Sequence, residues 1–156
     1  MKFNLTNEFI RGLVVGEGCF TFHTIGYKII GEAIGRWKMP AFVISMHVRD
    51  LDLLRSVADQ LGLKEPVYTH KSWQGDGIKR GDKATLMVRK FSSLKNIVVP
   101  LFYKKLFGYK AIQFEKWIEE IGNNPDVKEN YKLIHRLYKC GFWDNPKNYI
   151  YPNLLK

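Results

Sequence analysis

The residue types best suited to chemistry lie in the segment IRGLVVGEGCF, residues 10–20. Gly12 and Gly16 are four positions apart, so in a helix they share one face, where small residues let two helix backbones approach closely. Ordinary tight packing within one chain is the alternative explanation of this spacing. Glu17 follows at the C-terminal end of the same helix, where the helix dipole disfavours a carboxylate and favours a compensating cation. Two such helices packed about a two-fold axis would bring two Glu17 side chains together, and paired carboxylates can hold divalent ions that activate water.

The charge of the chain indicates which partner such a site would serve. Twenty-five Lys and Arg residues stand against fifteen Asp and Glu residues, giving a net charge of +10 and an isoelectric point near 9.6. A surplus of this size predicts a polyanionic partner, nucleic acid before membrane. The basic residues are densest between residues 71 and 90, inside the chain rather than in a tail, which favours a binding face. Carboxylates and divalent ions beside a nucleic acid indicate phosphodiester cleavage.

Length and composition exclude several other classes. A chain of 156 residues with 46% hydrophobic residues predicts one folded domain over 1–156. No apolar stretch approaches the roughly 18 residues of a spanning helix, and the N-terminus lacks signal-peptide features, so we expect an intracellular protein without membrane contact. These features do not distinguish cytoplasm or nucleoid from an organelle. Cys19 and Cys140 make neither a disulfide framework nor a zinc site.

The elements that must position Glu17 come first in the chain. A helix is predicted over 7–18, capped by Thr6 or Asn7. Its expected apolar face consists of Phe9, Ile10, Leu13 and Val14. The alternation in residues 19–25 predicts a strand, a glycine-containing connection follows, and residues 36–46 predict a second strand in which Pro40 indicates an edge or a bulge.

The same pattern repeats further along the chain. The predicted elements are a helix after Asp50 that ends at Gly62, strands at 66–73 and 83–90, a helix from Ser92 or Ser93 that Pro100 breaks or kinks, and helices at 110–121 and 127–140. An aromatic-rich tail within the C-terminal part, 110–156, is expected to pack back on the body. This order predicts an α+β fold with a four-stranded antiparallel sheet, one face covered by helices and the other open, polar and basic. Such a face can lie in a DNA major groove.

Three segments resemble the LAGLIDADG homing endonuclease family. The segment EFIRGLVVGEGCF resembles the family signature, with Arg11 and Val15 departing from the literal consensus. AFVISMHVRDLDLL resembles the second strand and the entry to the next helix, and VPLFYKKLFGYKAIQFEKW resembles a later family segment. The resemblance covers roughly residues 5–120 and implies the αββαββα fold, with the sheet as a DNA-binding saddle.

The resemblance also implies roles for particular residues. Glu17 is the expected catalytic and metal-binding acid, with the Gly16 carbonyl as a second ligand for Mg²⁺; Mn²⁺ is an alternative, and Ca²⁺ a substitute that supports binding only. Lys110 matches the active-site lysine best and Lys105 is its rival. Gly12, Leu13 and Gly16 are expected at a dimer interface. The residues expected to contact DNA are Thr21, His23, Ser45, Thr69, Lys71, Lys79, Arg80, Thr85 and Arg89.

A single copy of the motif implies a homodimer. The only other segment that resembles the motif, IIGEAIG at 29–35, has Ala33 where the motif requires glycine. The resemblance implies site-specific cleavage of double-stranded DNA by metal-activated water, leaving short 3′ overhangs, in intron or intein homing, and a homodimer implies a long, near-palindromic target.

Two alternatives compete with this reading. The sequence GEGCF also resembles the glycine-rich loop of protein kinases, but the third glycine and the other kinase motifs are absent. The stronger alternative is a non-cleaving nucleic-acid-binding protein on the same scaffold, either an RNA maturase or a DNA-binding regulator. Met46 favours it modestly, because it stands near a position where many relatives carry a polar side chain that organises water.

Overall fold

Helix α1 spans Asn7–Glu17 in a computed structural model that describes residues 1–72 and 75–156. Of the two predicted caps, Thr6 begins the helix: its hydroxyl accepts a hydrogen bond of 3.1 Å from the backbone N–H of Phe9. Ile10 and Val14 are fully buried, as predicted. The expectation that Phe9 shares this buried face is wrong, because Phe9 is 46% exposed.

Strands β1 (Gly18–Ile30) and β2 (Ala33–His47) form a long antiparallel hairpin. The predicted connection between residues 25 and 36 is wrong in extent, because both strands continue through it to a two-residue turn. Gly31, with a φ of +60°, makes that turn, and an irregularity between Ile25 and Lys28 accommodates Gly26 at a φ of +55°. The glycines thus serve a bulge and a turn rather than a loop.

The sheet is completed after helix α2 (Leu51–Leu61) by strands β3 (Val67–His70) and β4 (Lys83–Val88), and all its pairs are antiparallel in the order β1-β2-β4-β3. The predicted fold class is confirmed. Strand β3 is shorter than the predicted 66–73, of which residue 73 lies outside the described part. Strand β2 is central, yet it pairs with β4 only from Phe42 onward, so Pro40 lies in a stretch with no β4 partner.

Helices cover one face of the sheet. Helix α3 (Phe91–Ser93) continues through a π-helical turn at Leu94–Val98 into α4 (Val99–Phe102). Pro100 therefore does not end the helix as expected: the wider turn before it relieves the clash that a proline makes in a regular α-helix.

Two further helices, α5 (Gly108–Asn123) and α6 (Lys132–Lys139), complete the helical layer. The predicted start of the last helix at residue 127 is wrong, because Val127 instead forms an isolated bridge with Lys38 of β2. Within the described residues, no helix is both long and apolar enough to cross a membrane.

An aromatic cluster joins this layer to the sheet. The Phe20 ring centroid lies 5.4 Å from that of Phe42, 5.0 Å from that of Phe114 and 5.3 Å from that of Trp117. Aromatic pairs at these distances stabilise a core beyond the area they bury. The cluster fixes α5 against the first residues of β1.

The buried side chain of Arg11 ties the chain's final segment to α1. Its guanidinium donates to the backbone carbonyls of Leu101 at 2.8 Å, Leu154 at 2.9 Å and Lys156 at 3.3 Å. Burial lowers the pKa of Arg11, and the nearby charge of Glu8 opposes this effect. The prediction that the tail packs back on the body is confirmed, with Leu154 1% exposed.

The junction between α1 and β1 has no loop. The Gly18 N–H donates to the Val14 carbonyl, and a Cβ added at Gly18 would lie 2.5 Å from Val14 Cγ1 and 2.9 Å from the Val14 carbonyl oxygen. Only glycine fits this close approach. At Gly16, by contrast, no atom lies within 4 Å of such a Cβ.

We expect Gly18→Ala to lower the free energy of unfolding by about 1–3 kcal/mol, because the helix and strand must separate to admit the methyl group. The matched variant Gly16→Ala should leave the free energy unchanged or raise it by up to about 1 kcal/mol, since alanine favours helix. Urea unfolding of both variants measures the difference. Equal stability of the two would contradict the tight junction.

Candidate functional site

Glu17 lies on the surface where α1 meets the sheet. Gly18, the residue after Glu17, pairs with Ile44 of β2, and Ser45 is the next residue of that strand. The Ser45 hydroxyl lies 2.9 Å from the Thr85 hydroxyl. In the described part of the chain, no hydrogen bond or ion pair engages the Glu17 carboxylate, which is therefore available to a ligand.

The structure separates the two candidate lysines. The Lys110 ammonium donates to the Gly18 carbonyl, adjacent to Glu17. Lys105 instead donates to the Leu155 carbonyl at 3.0 Å, and its pKa is lowered by burial and by the positive charge of Arg11. Lys110 and Glu17 thus share one junction, whereas Lys105 belongs to the contact with the final segment.

The donor atoms at this junction suit a hard cation. Carbonyls in the last turn of a helix lack helical partners, so the Gly16 carbonyl and the Glu17 carboxylate offer oxygen ligands side by side. Among the described residues, no group of three or more His, Cys, Asp or Glu residues could hold a metal. Mg²⁺ is commonly bound by one or two carboxylates together with waters and substrate phosphates. One carboxylate per chain therefore fits Mg²⁺ when a phosphate and a second carboxylate complete the shell.

Among the described residues, none packs tightly against the two glycines of α1. A Cβ at Gly12 would meet no atom within 4 Å, as at Gly16, so internal tight packing does not explain this pair. Apolar side chains border the glycines: Phe9 is 46% exposed, Val15 38% and Phe107 79%. Leu13, also expected at the interface, is half-buried against the core. This face is open and apolar, as a docking surface would be.

Strand register assigns the predicted DNA contacts to the two faces of the sheet. The face opposite the core, here called the outer face, carries Thr21, His23, Ser45 and Thr85 as expected. Thr69 pairs with Ala84, whose side chain is buried, so its predicted place on the outer face is wrong. Tyr68 and His70 hold outer-face positions on β3 instead, because strand neighbours alternate between faces.

The predicted basic contacts lie at the ends of β3 and β4. Lys71 and Lys79 are exposed in the connection between these strands. Arg80, in the same connection, donates to the Asp76 carboxylate at 3.0 and 2.6 Å. Arg89 follows β4, and its carbonyl accepts a hydrogen bond of 2.7 Å from the Tyr131 hydroxyl.

The centre of the outer face is apolar, and Val43 was not predicted there. Val43 lies opposite Met87 of β4 on one side and Cys19 of β1 on the other. Met39 and Ala41 hold the same face further along β2. The expectation of a polar and basic face is therefore wrong at its centre. Strict alternation with the core residues Phe42 and Ile44 is the signal that could have identified these positions.

Comparisons with known proteins give a matching family and several similar folds. The model of the LAGLIDADG endonuclease family matches residues 10–121. The fold is similar to I-SmaMI bound to an uncleaved DNA target in the presence of calcium ions, with 25% identity, a TM-score of 0.56, and coverage of 85% of this chain and 43% of that one. It is also similar to the homing endonuclease I-TnaI, with 23% identity, a TM-score of 0.58, and coverage of 91% of this chain and 99% of that one.

A third similar structure is the I-LtrWI LAGLIDADG homing endonuclease bound to target DNA, with 24% identity, a TM-score of 0.58, and coverage of 86% of this chain and 43% of that one. The chain thus spans less than half the length of I-SmaMI and I-LtrWI but nearly all of I-TnaI. A comparison with curated protein sequences gave no match. Since the family match covers most of the chain and the fold agrees, the chain belongs to the LAGLIDADG endonuclease family.

Proposed function

We propose that the chain is a site-specific endonuclease of double-stranded DNA that acts as a homodimer on a long, near-palindromic target. The observation that carries this proposal is the unpartnered Glu17 carboxylate, beside Lys110 and at the end of an open glycine face. The family resemblance further suggests short 3′ overhangs and a role in intron or intein homing. The DNA named for I-SmaMI and I-LtrWI supports the choice of substrate.

The residues at the junction have distinct roles in this proposal. Glu17 and the Gly16 carbonyl would hold Mg²⁺ or Mn²⁺, with Ca²⁺ supporting binding alone. Such an ion supplies an activated water and a counter-charge for the phosphate. The Lys110 ammonium, held by the Gly18 carbonyl, places a positive charge where negative charge develops during cleavage. The Ser45 and Thr85 hydroxyls offer hydrogen bonds at the edge of the same site.

The open face of α1 would be covered by a second copy of the chain. With Gly12 and Gly16 at the contact, two α1 helices can approach closely and bring two Glu17 carboxylates to one site. A two-fold pair of sheets then meets a two-fold symmetric duplex. I-TnaI, a homing endonuclease chain matched over 99% of its length, shows that chains of this size occur among the similar structures.

The non-cleaving alternative draws on Met46. Met46 pairs with Ala84, whose side chain is buried, so Met46 lies on the core side of β2. Ser45, the residue before it, lies on the outer face, with its hydroxyl 2.9 Å from that of Thr85. Met46 therefore does not by itself decide between cleavage and binding alone, and the proposal of cleavage rests on Glu17.

Glu17→Gln should abolish cleavage and leave DNA binding within about threefold, because the amide keeps the shape and loses the charge that holds the metal. Digestion of a randomised half-site library with Mg²⁺, followed by sequencing of cut and bound fractions, measures both properties. Exposed Glu115→Gln is the matched control. A wild-type protein that binds one sequence and never nicks it would support the binding-only alternative instead.

Lys110→Met should lower the cleavage rate at least tenfold at saturating protein, because the charge beside Glu17 is lost. Lys105→Met should leave the rate on the same duplex within about threefold, since Lys105 serves the Leu155 contact. Single-turnover cleavage at fixed Mg²⁺ compares the two variants. The reverse order of effects would assign the active-site role to Lys105.

Gly12→Leu should prevent two copies from loading on one palindromic duplex while the isolated chain stays folded, because its Cβ has open space in the chain and none in a close helix pair. Sedimentation of protein on full-site and half-site DNA measures the stoichiometry, and thermal unfolding checks the fold. Glu115→Leu adds the same side chain to α5 as a control. Undiminished loading of two Gly12→Leu copies would exclude this face as the interface.

A further inference from the structure

The outer face carries a row of apolar side chains that the proposed chemistry does not use. We define the apolar strip as Met39 and Val43 of β2 with Met87 of β4, three half-exposed side chains. Val43 and Met87 lie directly opposite each other in the register, so their side chains are neighbours on the face away from the core. Ala41 lies between Met39 and Val43 on the same face, but it is fully buried and is not part of the strip.

The strip borders a hollow rather than a flat surface. A cavity of about 540 Å³ includes Met39 and Met87 in its lining, together with Tyr68, Thr85 and Arg89. Most of the core lies on the other side of the sheet, around Phe42 and Ile44, but Met39 also packs against the core and the core residue Tyr131 lines the hollow. Val43 and Met87 remain half-exposed, and apolar side chains gain nothing from water, so this pair indicates a ligand that offers apolar groups.

Cations surround the strip and identify the class of ligand. Lys83 lies on the outer face at one end of β4, and Arg89 and Lys90 lie at the other end beside the hollow. The chain as a whole carries a net charge of +10. Apolar contacts inside a basic rim suit a polyanion with apolar groups at its reading edge. In the major groove of DNA that group is the C5-methyl of thymine, which uracil in RNA lacks.

We infer that the apolar strip reads thymine methyl groups in the major groove of each half-site, an inference that rests on the proposed DNA endonuclease function. The strip also limits how many base pairs are read in this way. From Met39 to Val43 the strand advances about 13 Å, at roughly 3.3 Å per residue. At about 3.4 Å per base pair, this length spans about four base pairs. Each half-site should therefore contain a thymine-rich block no longer than about four base pairs.

The test removes single methyl groups from the DNA. A randomised half-site library is first enriched by binding to the wild-type protein without divalent metal, and the enriched duplex is then synthesised with deoxyuridine at one thymine position at a time. At positions that face the strip, each missing methyl should weaken binding by roughly fourfold, the value of one buried methyl group. Thymines elsewhere in the site should tolerate the replacement.

Variants of the strip identify the protein side of the contact. Val43→Thr replaces one of the two Val43 methyl groups with a hydroxyl, and Met87→Gln replaces the thioether and its methyl group with an amide; both side chains are half-exposed, so the fold should tolerate them. Met87→Gln should reduce the fourfold preference for thymine over deoxyuridine to near one, and Val43→Thr, which keeps one methyl group, should reduce it in part. Ile150→Thr, at a residue 58% exposed in the final segment, should keep the full preference.

The outcomes separate this inference from the proposed function. If one sequence is enriched and no thymine position is sensitive to deoxyuridine, the inference about the apolar strip is wrong and the DNA-binding proposal stands. Enrichment of no sequence at all would overturn both. A Val43→Thr variant that changes the number of copies on the duplex but keeps the thymine preference would show that the strip contacts protein, and would overturn the inference as well.

Discussion

The close approach of Val14 to Gly18 is the constraint on which the rest of the site depends. Because helix and strand join without a loop, the direction of α1 relative to the sheet is fixed by contact between two residues four apart. Three consequences follow from this direction of α1. Glu17 stands directly before the first residue of β1, Lys110 reaches the Gly18 carbonyl, and the glycine face of α1 points away from the core.

Residues that typically begin or end helices were sufficient to predict one end of α1 and one end of α2. Thr6 caps α1, and Gly62, with a φ of +68°, ends α2, as their residue types and positions indicate. The extent of the first hairpin could not be predicted, because Gly26 and Gly31 are equally typical of a loop. Thr69 shows a different limit: a shift of one residue exchanges the faces of a strand, and only the pairing with β4 settles it.

The candidate site likewise contains some residues that could be predicted from the sequence and others that could not. Gly12, Gly16 and Glu17 were identified from their spacing, because a helix converts spacing into position. The choice between Lys110 and Lys105 depends on which carbonyl each ammonium reaches, and those carbonyls belong to residues distant in the sequence. The apolar centre of the outer face depends on alternation: Val43 lies between the core residues Phe42 and Ile44, so an apolar run contains a residue of the other face, which was not predicted.

The outer face combines two kinds of contact that serve different purposes. Cations at its ends suit phosphates, which fix position on a duplex without reading its sequence. Val43 and Met87 at its centre offer no charge, and in the proposed complex their contacts would depend on which base lies opposite. Under that proposal, affinity and selectivity belong to separate parts of one surface.

The Arg11 contact also bears on how the chain folds. Its hydrogen bond to the Leu154 carbonyl joins residues 143 positions apart. Closing so long a loop is slow because most of the chain must already be ordered before the contact gains anything. Until then the guanidinium remains solvated and α1 lacks one of its anchors. The helix that presents Glu17 is therefore first to appear in the sequence and among the last elements to be secured.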